Sequence, residues 1–166
     1  MSDKFQLRPA LESDITAITA IYNEAVLHST ATFDITEQPL ASRLEWFRKH
    51  SEHFPVFVAE THDQVVAYAS LSHWSDKPAY DITAEFSLYV EPGSRRRGIG
   101  QALAEYALDN AKETPLYTIL SLITAGNAAS LALHEKLGFT TIGTFRRCGR
   151  KFGEILDVVF LQKILK

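Results

Sequence analysis

A mixed α/β fold in one domain is what this sequence predicts, and three observations carry the prediction. Apolar residues recur at helical spacing in four separate stretches. Short alternating or continuous apolar runs, bounded by Gly, Pro or polar turns, lie between them. The early runs follow one another directly, as in hairpins, whereas the middle ones are joined through helices. A length of 166 residues suits a single domain, 1–166, with a sizeable core.

The elements follow in order. Phe5 to Pro9 reads as a first strand, and Ser13 or Asp14 as a helix cap. Ile15, Ile18, Ile21, Tyr22, Ala25 and Val26 then predict a helix to about His28. Ser29 to Phe33 is a hydroxyl-rich loop. Leu40, Leu44 and Phe47 predict a second helix ending near His53, broken by Phe54-Pro55. Val56 to Glu60 and Val65 to Leu71, separated by Thr61-His62-Asp63-Gln64, form a hairpin pattern. A polar loop from His73 to Asp81 leads to the alternating strand Glu85 to Val90. A third helix carries Ile99, Leu103, Tyr106 and Ala107; a strand from Leu116 to Ile123 follows. Gly126-Asn127 opens the fourth helix, which Gly138 closes in a left-handed cap. Phe139 to Phe145 and Ile155 to Leu161 are two closing strands around a turn from Cys148 to Gly153.

Composition excludes several classes. Apolar residues make up 46% and charged residues 22%, ordinary globular usage that argues against wholesale disorder. The net charge of −3 argues against a nucleic-acid binder. Cys148 is the single cysteine, so no intrachain disulfide forms, which fits a cytoplasmic location. The N-terminal residues include Asp3, Lys4 and Arg8 with no apolar run, so neither a signal peptide nor a membrane span is expected.

The most informative stretch is Glu85 to Gly100. Pro92-Gly93 stops an apolar strand, three arginines and two glycines follow, and a helix begins at Ile99. First-turn N–H groups of a helix lack intrahelical partners, and the helix dipole adds positive charge there. A strand, a basic Gly-containing turn and a helix start therefore make an anion site. No Lys follows Gly100, which excludes a Walker loop; Leu103 stands where a dinucleotide fingerprint needs a third Gly or Ala.

Arg95-x-x-Gly98-x-Gly100 resembles the pyrophosphate-binding motif of the GCN5-related N-acetyltransferase (GNAT) family. Asn127-Ala128-Ala129-Ser130 and Leu133-His134-Glu135-Lys136-Leu137-Gly138-Phe139 resemble its later helix. The likeness runs from Leu7-Arg8-Pro9-Ala10 to the last strand. It narrows to the phosphinothricin and methionine sulfone acetyltransferase branch through Thr30-Ala31-Thr32-Phe33, Trp74, Ala79-Tyr80-Asp81, Glu85 and Gly149-x-Lys151-x-Gly153. The resemblance implies the GNAT fold, a single mixed and mostly antiparallel sheet flanked by about four helices. It implies acetyl-CoA as co-substrate, a small amine as acceptor, and a homodimer.

It also implies roles. Leu88, Tyr89 and Val90 would grip pantetheine through their backbones; Arg95, Arg96, Arg97, Gly98, Ile99, Gly100 and Gln101 would hold the phosphates; Asn127 and Ser130 would complete the cofactor site. Glu85 is the candidate base, since an alkyl amine with a pKa of about 10.4 must lose a proton before it attacks. His134 occupies a position usually held by a thiolate-protonating Tyr. Phe33, Trp74, Lys77, Tyr80 and Lys151 are the candidate substrate contacts. Ser75 stands where some members carry an Arg for the substrate carboxylate, and Lys77 is the nearest basic substitute. The remaining histidines have no ligand-like spacing, so no metal is expected. Three alternatives stay open: another amine (polyamine, aminoglycoside or peptide N-terminus), an acyl-CoA sensor without turnover, and a nucleic-acid patch at the arginines.

Overall fold

A computed structural model of the protein describes residues 4–166. Seven strands form one sheet, β1 (Gln6–Pro9), β2 (Val56–Thr61), β3 (Gln64–His73), β4 (Thr83–Val90), β5 (Thr118–Thr124), β6 (Thr140–Lys151) and β7 (Glu154–Ile164), in spatial order β1-β2-β3-β4-β5-β7-β6. The helices are α1 (Ile15–His28), α2 (Leu40–Arg48), α3 (Ile99–Ala111) and α4 (Ala128–Lys136). Every neighbouring pair is antiparallel except β4 and β5, which are parallel. That is the mixed sheet the resemblance implies.

Two cores cover the two faces of the sheet. Phe57, Ala69, Leu71, Phe86, Leu103, Ala107 and Ile119 belong to the larger, with α3 pressed on the sheet. Ile15, Ile18, Val56, Val58 and Tyr68 form the smaller one beneath α1. Alternation along β2, and along β3 beyond the register shift at Val66, sends successive residues to opposite faces, and nearly every β2 residue is buried. The β2–β3 turn is tight: His62 and Asp63 both take positive φ, at 50° and 59°. At the sheet edge Arg8 donates to both Asp14 and Glu60, joining β1 to β2 and to the start of α1.

Two boundaries differ most from the sequence reading, the others by no more than three residues. The second helix ends at Arg48 rather than near His53. Lys49 to His53 contains no aliphatic residue to bury, so packing does not extend the helix, and Ser51 and Phe54 exchange backbone hydrogen bonds in a turn instead. The last hairpin turns only at Phe152-Gly153, where φ is 51° and 80°; Cys148 to Lys151 continue β6. Register shifts after Thr141 and after Phe145 absorb extra residues along β6, so its Gly149 marks an irregular strand rather than a turn.

Candidate active site

The site is built on a seam in the sheet. β4 and β5 pair only from Thr83 to Glu85 against Thr118 to Leu120. Beyond that point β4 stays with β3 as far as Val90, and β5 stays with β7, so the two strands part. Backbone groups of successive strand residues point to alternate edges. Glu91 N–H reaches the Val66 carbonyl on the β3 side, and the Phe86 carbonyl accepts the Ser121 hydroxyl from the β5 side. By that alternation Leu88 and Val90 aim their N–H groups into the open seam, while Tyr89 aims its own toward β3.

On one side of the seam lies a groove of about 810 Å³. Leu88 and Val90, the turn residues Arg95, Arg96 and Gly98, and the start of α3 line it. Gly98 caps α3 in the left-handed region at φ 79°, and Arg96 is left-handed too, at φ 60°. This bend brings the first-turn N–H groups of α3 to the end of β4. The approach is close: a Cβ on Gly100 would stand 3.1 Å from Val90 Cγ2. Across the groove Asn127 caps α4, its side chain accepting from Ser130 N–H at 3.2 Å. The dimensions, the cationic turn and the paired helix starts fit an elongated ligand with phosphates at one end.

On the other side lies a cleft of about 550 Å³. Glu85, Ser87 and Tyr89 face it from β4, and Tyr68, Ser70 and Ser72 from β3. Burial pushes the Glu85 carboxyl above the usual carboxylate range. Tyr22 donates to Asp34 at 2.7 Å, and burial pushes the Tyr22 phenol up to about 12. Phe33 closes one wall, its ring packed against Gly149 of β6.

Groove and cleft meet at a small chamber between the parted strands, lined by residues of both, including Leu88, Tyr89 and Ser130 of the groove and Ser87 and Leu122 of the cleft. His134 and Ser121 border it. His134 is 2% exposed, and burial lowers its pKa, against an opposing pull from the Ser130 carbonyl. Its Nδ1 lies 2.8 Å from that carbonyl, which can only accept, so Nδ1 carries the proton. Nε2 lies 2.9 Å from Ser121 Oγ and is therefore the basic nitrogen of the neutral ring. The single Ser121 proton has two takers, Nε2 and the Phe86 carbonyl at 3.2 Å.

A family model described as "Acetyltransferase (GNAT) family" matches residues 18–139. The chain belongs to the GNAT acetyltransferase family. A methionine sulfoximine/methionine sulfone acetyltransferase of Pseudomonas aeruginosa is 36% identical over 158 residues, 94% of this chain and 92% of that one. A phosphinothricin N-acetyltransferase of Streptomyces coelicolor is 34% identical, covering 96% of both. Among solved structures, a ribosomal-protein-alanine N-acetyltransferase of Brucella melitensis shares 40% identity at a TM-score of 0.93, covering 96% of this chain and 99% of its own. A putative acetyltransferase of Salmonella typhimurium, solved with acetyl-CoA, gives 0.94 at 35% identity, covering 98% and 94%.

Within this GNAT chain the residues singled out from sequence fall into three groups. Leu88, Tyr89, Val90, Arg95, Arg96, Gly98, Gly100, Gln101, Asn127 and Ser130 line the groove, while Glu85 and Phe33 line the cleft and His134 the chamber. Ile99 turns its side chain into the core, and neither it nor Arg97 is among the groove-lining residues, which they adjoin in sequence. The third group sits elsewhere. Trp74 packs edge-on to Phe160, Lys77 and Tyr80 are exposed in the loop before β4, and buried Lys151 donates to the Thr32 carbonyl at 2.7 Å. Lys151 thus holds the 29–34 loop over the junction instead of facing the cleft. Sequence reasoning missed Ser121, Arg43, Tyr68 and Asp34. Ser121 and Tyr68 sit inside apolar strand patterns, and only the register of β4 against its neighbours brings them to the site. No helix among the described residues is long and apolar enough to cross a membrane.

Proposed function

We propose that the protein transfers acetyl from acetyl-CoA to the α-amino group of a small amino-acid-like substrate of the phosphinothricin, methionine sulfoximine or methionine sulfone type, by direct attack. The observation that carries this reading is the meeting of groove and cleft at the open seam, with Glu85 in one lining and His134 at the junction. The names of the Pseudomonas and Streptomyces relatives support the substrate class.

The phosphates of acetyl-CoA rest on the turn from Arg95 to Gln101, and pantetheine runs along the Leu88 and Val90 N–H groups. Those groups polarise the thioester carbonyl. Glu85 takes the first proton from the substrate ammonium, directly or through a water, and passes it to solvent. After attack the nitrogen carries a second excess proton. Neutral His134 receives it at Nε2 by way of the Ser121 hydroxyl, and the same pair returns it to the departing thiolate. One ammonium and one thioester thus yield one amide, one thiol and one proton. Burial of His134 favours the neutral resting ring that this relay needs.

The free, exposed Cys148 supports a cytoplasmic protein, and edge strand β6, which exposes Ile142 and Phe145, supports pairing with a second copy. The Brucella neighbour favours one alternative acceptor, a peptide N-terminus. Thiol release from acetyl-CoA, measured with phosphinothricin, methionine sulfoximine, methionine sulfone, a polyamine, an aminoglycoside and an alanyl peptide, decides between them. Release with the peptide and not with the free amino acids overturns the proposed substrate class; tight CoA binding without release from any amine leaves only a sensor.

A further inference from the structure

Arg43 of α2 is a cationic group of the cleft lining that the mechanism above leaves unused. It is 7% exposed and lines the cleft together with Tyr68, Tyr22 and Trp46. Its guanidinium carbon lies 3.9 Å from the Trp46 ring centroid and 4.4 Å from that of Tyr22. Among the described residues its side chain donates from Nη2 to the Tyr68 hydroxyl, at 3.3 Å, and the buried Nε–H has no hydrogen-bond partner. Among the described residues no carboxylate pairs with it. Asp34, in the same cleft, is engaged by Tyr22, and Glu85 stands at the far end, four strand residues from Tyr89 or about 13 Å along β4. The neighbouring phenols do not supply the counter-charge, because burial holds Tyr22, Tyr68 and Tyr89 all well above their ordinary values.

A buried arginine without a counter-ion is costly to keep, and stacking on aromatic rings offsets only part of that cost. The stacking does fix the plane of the guanidinium, which prepares it to receive two oxygens of one planar or tetrahedral oxyanion. We propose that Arg43 binds an oxyanion of the amine substrate, so that the cleft selects acceptors bearing an acid group over bare amines. The inference rests on the N-acetyltransferase reading and deepens it. The amine is held at the seam beneath Glu85, and the acid group lies toward α2. The oxyanion is either the α-carboxylate or an acidic group at the end of the side chain; both present the same chemistry to the guanidinium.

The test uses the full chain and Arg43→Met, which keeps bulk and removes charge, with Arg43→Lys as the conservative partner. Three acceptors are compared: phosphinothricin, methionine sulfone, and methionine sulfone carboxamide, which lacks the acid. In Arg43→Met the KM for at least one acid substrate rises about tenfold to a hundredfold, the range for losing a hydrogen bond to a charged group. The KM for acetyl-CoA stays unchanged, and Arg43→Lys recovers part of the loss. If the preference for sulfone acid over carboxamide collapses, the bound group is the α-carboxylate. If the preference for phosphinothricin over methionine sulfone collapses instead, it is the side-chain oxyanion. Equal losses on all three acceptors, or none on any, overturn the inference. Calorimetric binding of the same acceptors in the presence of CoA, with wild type and Arg43→Met, gives the answer without turnover. If no acceptor is acetylated by wild type, the enzyme reading fails while the Arg43 inference still stands or falls on that binding; if acceptors are acetylated and Arg43→Met keeps the acid preference, only the inference fails.

Discussion

Gly98→Glu, compared with Gly98→Ala, tests the placement of the diphosphate. Gly98 caps α3 at φ 79°, and a Cβ built there meets no atom within 4 Å. Either substitution therefore suffers the left-handed backbone penalty alone, about 1–2 kcal/mol, with no steric clash added. The two variants differ only in a carboxylate at the mouth of the groove. Two unit charges about 4 Å apart repel by about 1 kcal/mol in water and about 4 kcal/mol at an effective dielectric of 20. A diphosphate carries about two charges and the groove is open, so about 2 kcal/mol is the expected scale. That corresponds to roughly thirtyfold weaker CoA binding for Glu than for Ala. Calorimetry at about 0.1 M salt reads the difference, which shrinks as salt rises. Pantetheine, which lacks the diphosphate, binds both variants alike. Equal CoA affinity in the two variants, or an equal loss for pantetheine, refutes the placement.

Three further substitutions probe the reaction. Glu85→Gln lowers kcat by about 10²–10⁴ and leaves CoA affinity unchanged. A base works only when deprotonated, and burial raises this carboxyl, so wild-type activity climbs with pH through a value above the usual carboxylate range; that limb disappears in Glu85→Gln. Burial of the charged form also opposes folding above that range, so the variant melts no lower than wild type at pH 8, and an unaltered pH–rate profile removes Glu85 as base. Ser121→Ala takes the partner from His134 Nε2, costs about 1–3 kcal/mol of stability, and lowers kcat more than it raises either KM; unchanged kcat breaks the proposed relay. Gly149→Ala overlaps the Phe33 ring, so the amine KM rises while CoA affinity holds, and an unmoved amine KM shows that Phe33 is not a wall of the substrate site.

The cofactor side was legible in the sequence because its determinants are local. Strand, Pro-Gly stop, arginines, glycines and helix start are consecutive, and their order dictates a helix N-terminus facing the end of a strand. Asn127 was legible for the same reason, as a cap one residue before its helix. The amine side was not, because it is assembled from registers. Ser72 faces Glu85 across β3 and β4, Ser121 follows the last β5 residue that pairs with β4, and Arg43 arrives from a helix far away in sequence. Lys77 and Lys151, expected at the substrate, stand outside the cleft lining: Lys77 is exposed in its loop and Lys151 donates to the Thr32 carbonyl. The misread end of β6 has a local cause, since Gly149 and Gly153 look alike in sequence and only the second occupies a left-handed turn.

Strand β4 ties the two sides together. Side chains alternate between its faces, and backbone N–H groups alternate between its edges, so one strand addresses three places at once. Phe86, Leu88 and Val90 anchor it to the core of α3, and the backbones of Leu88 and Val90 open onto the seam. Glu85, Ser87 and Tyr89 face the cleft. A slip of one residue would exchange these sets, turning Glu85 into the core and the seam N–H groups toward β3. The continuous pairing of β4 with β3 as far as Val90, and the fully buried Phe86 beneath it, resist that slip. On the proposed mechanism, the Glu85 carboxyl and the Leu88 and Val90 N–H groups sit at fixed separation along a single rigid element, so the alignment that direct attack would require is set when the sheet forms rather than when the substrates bind.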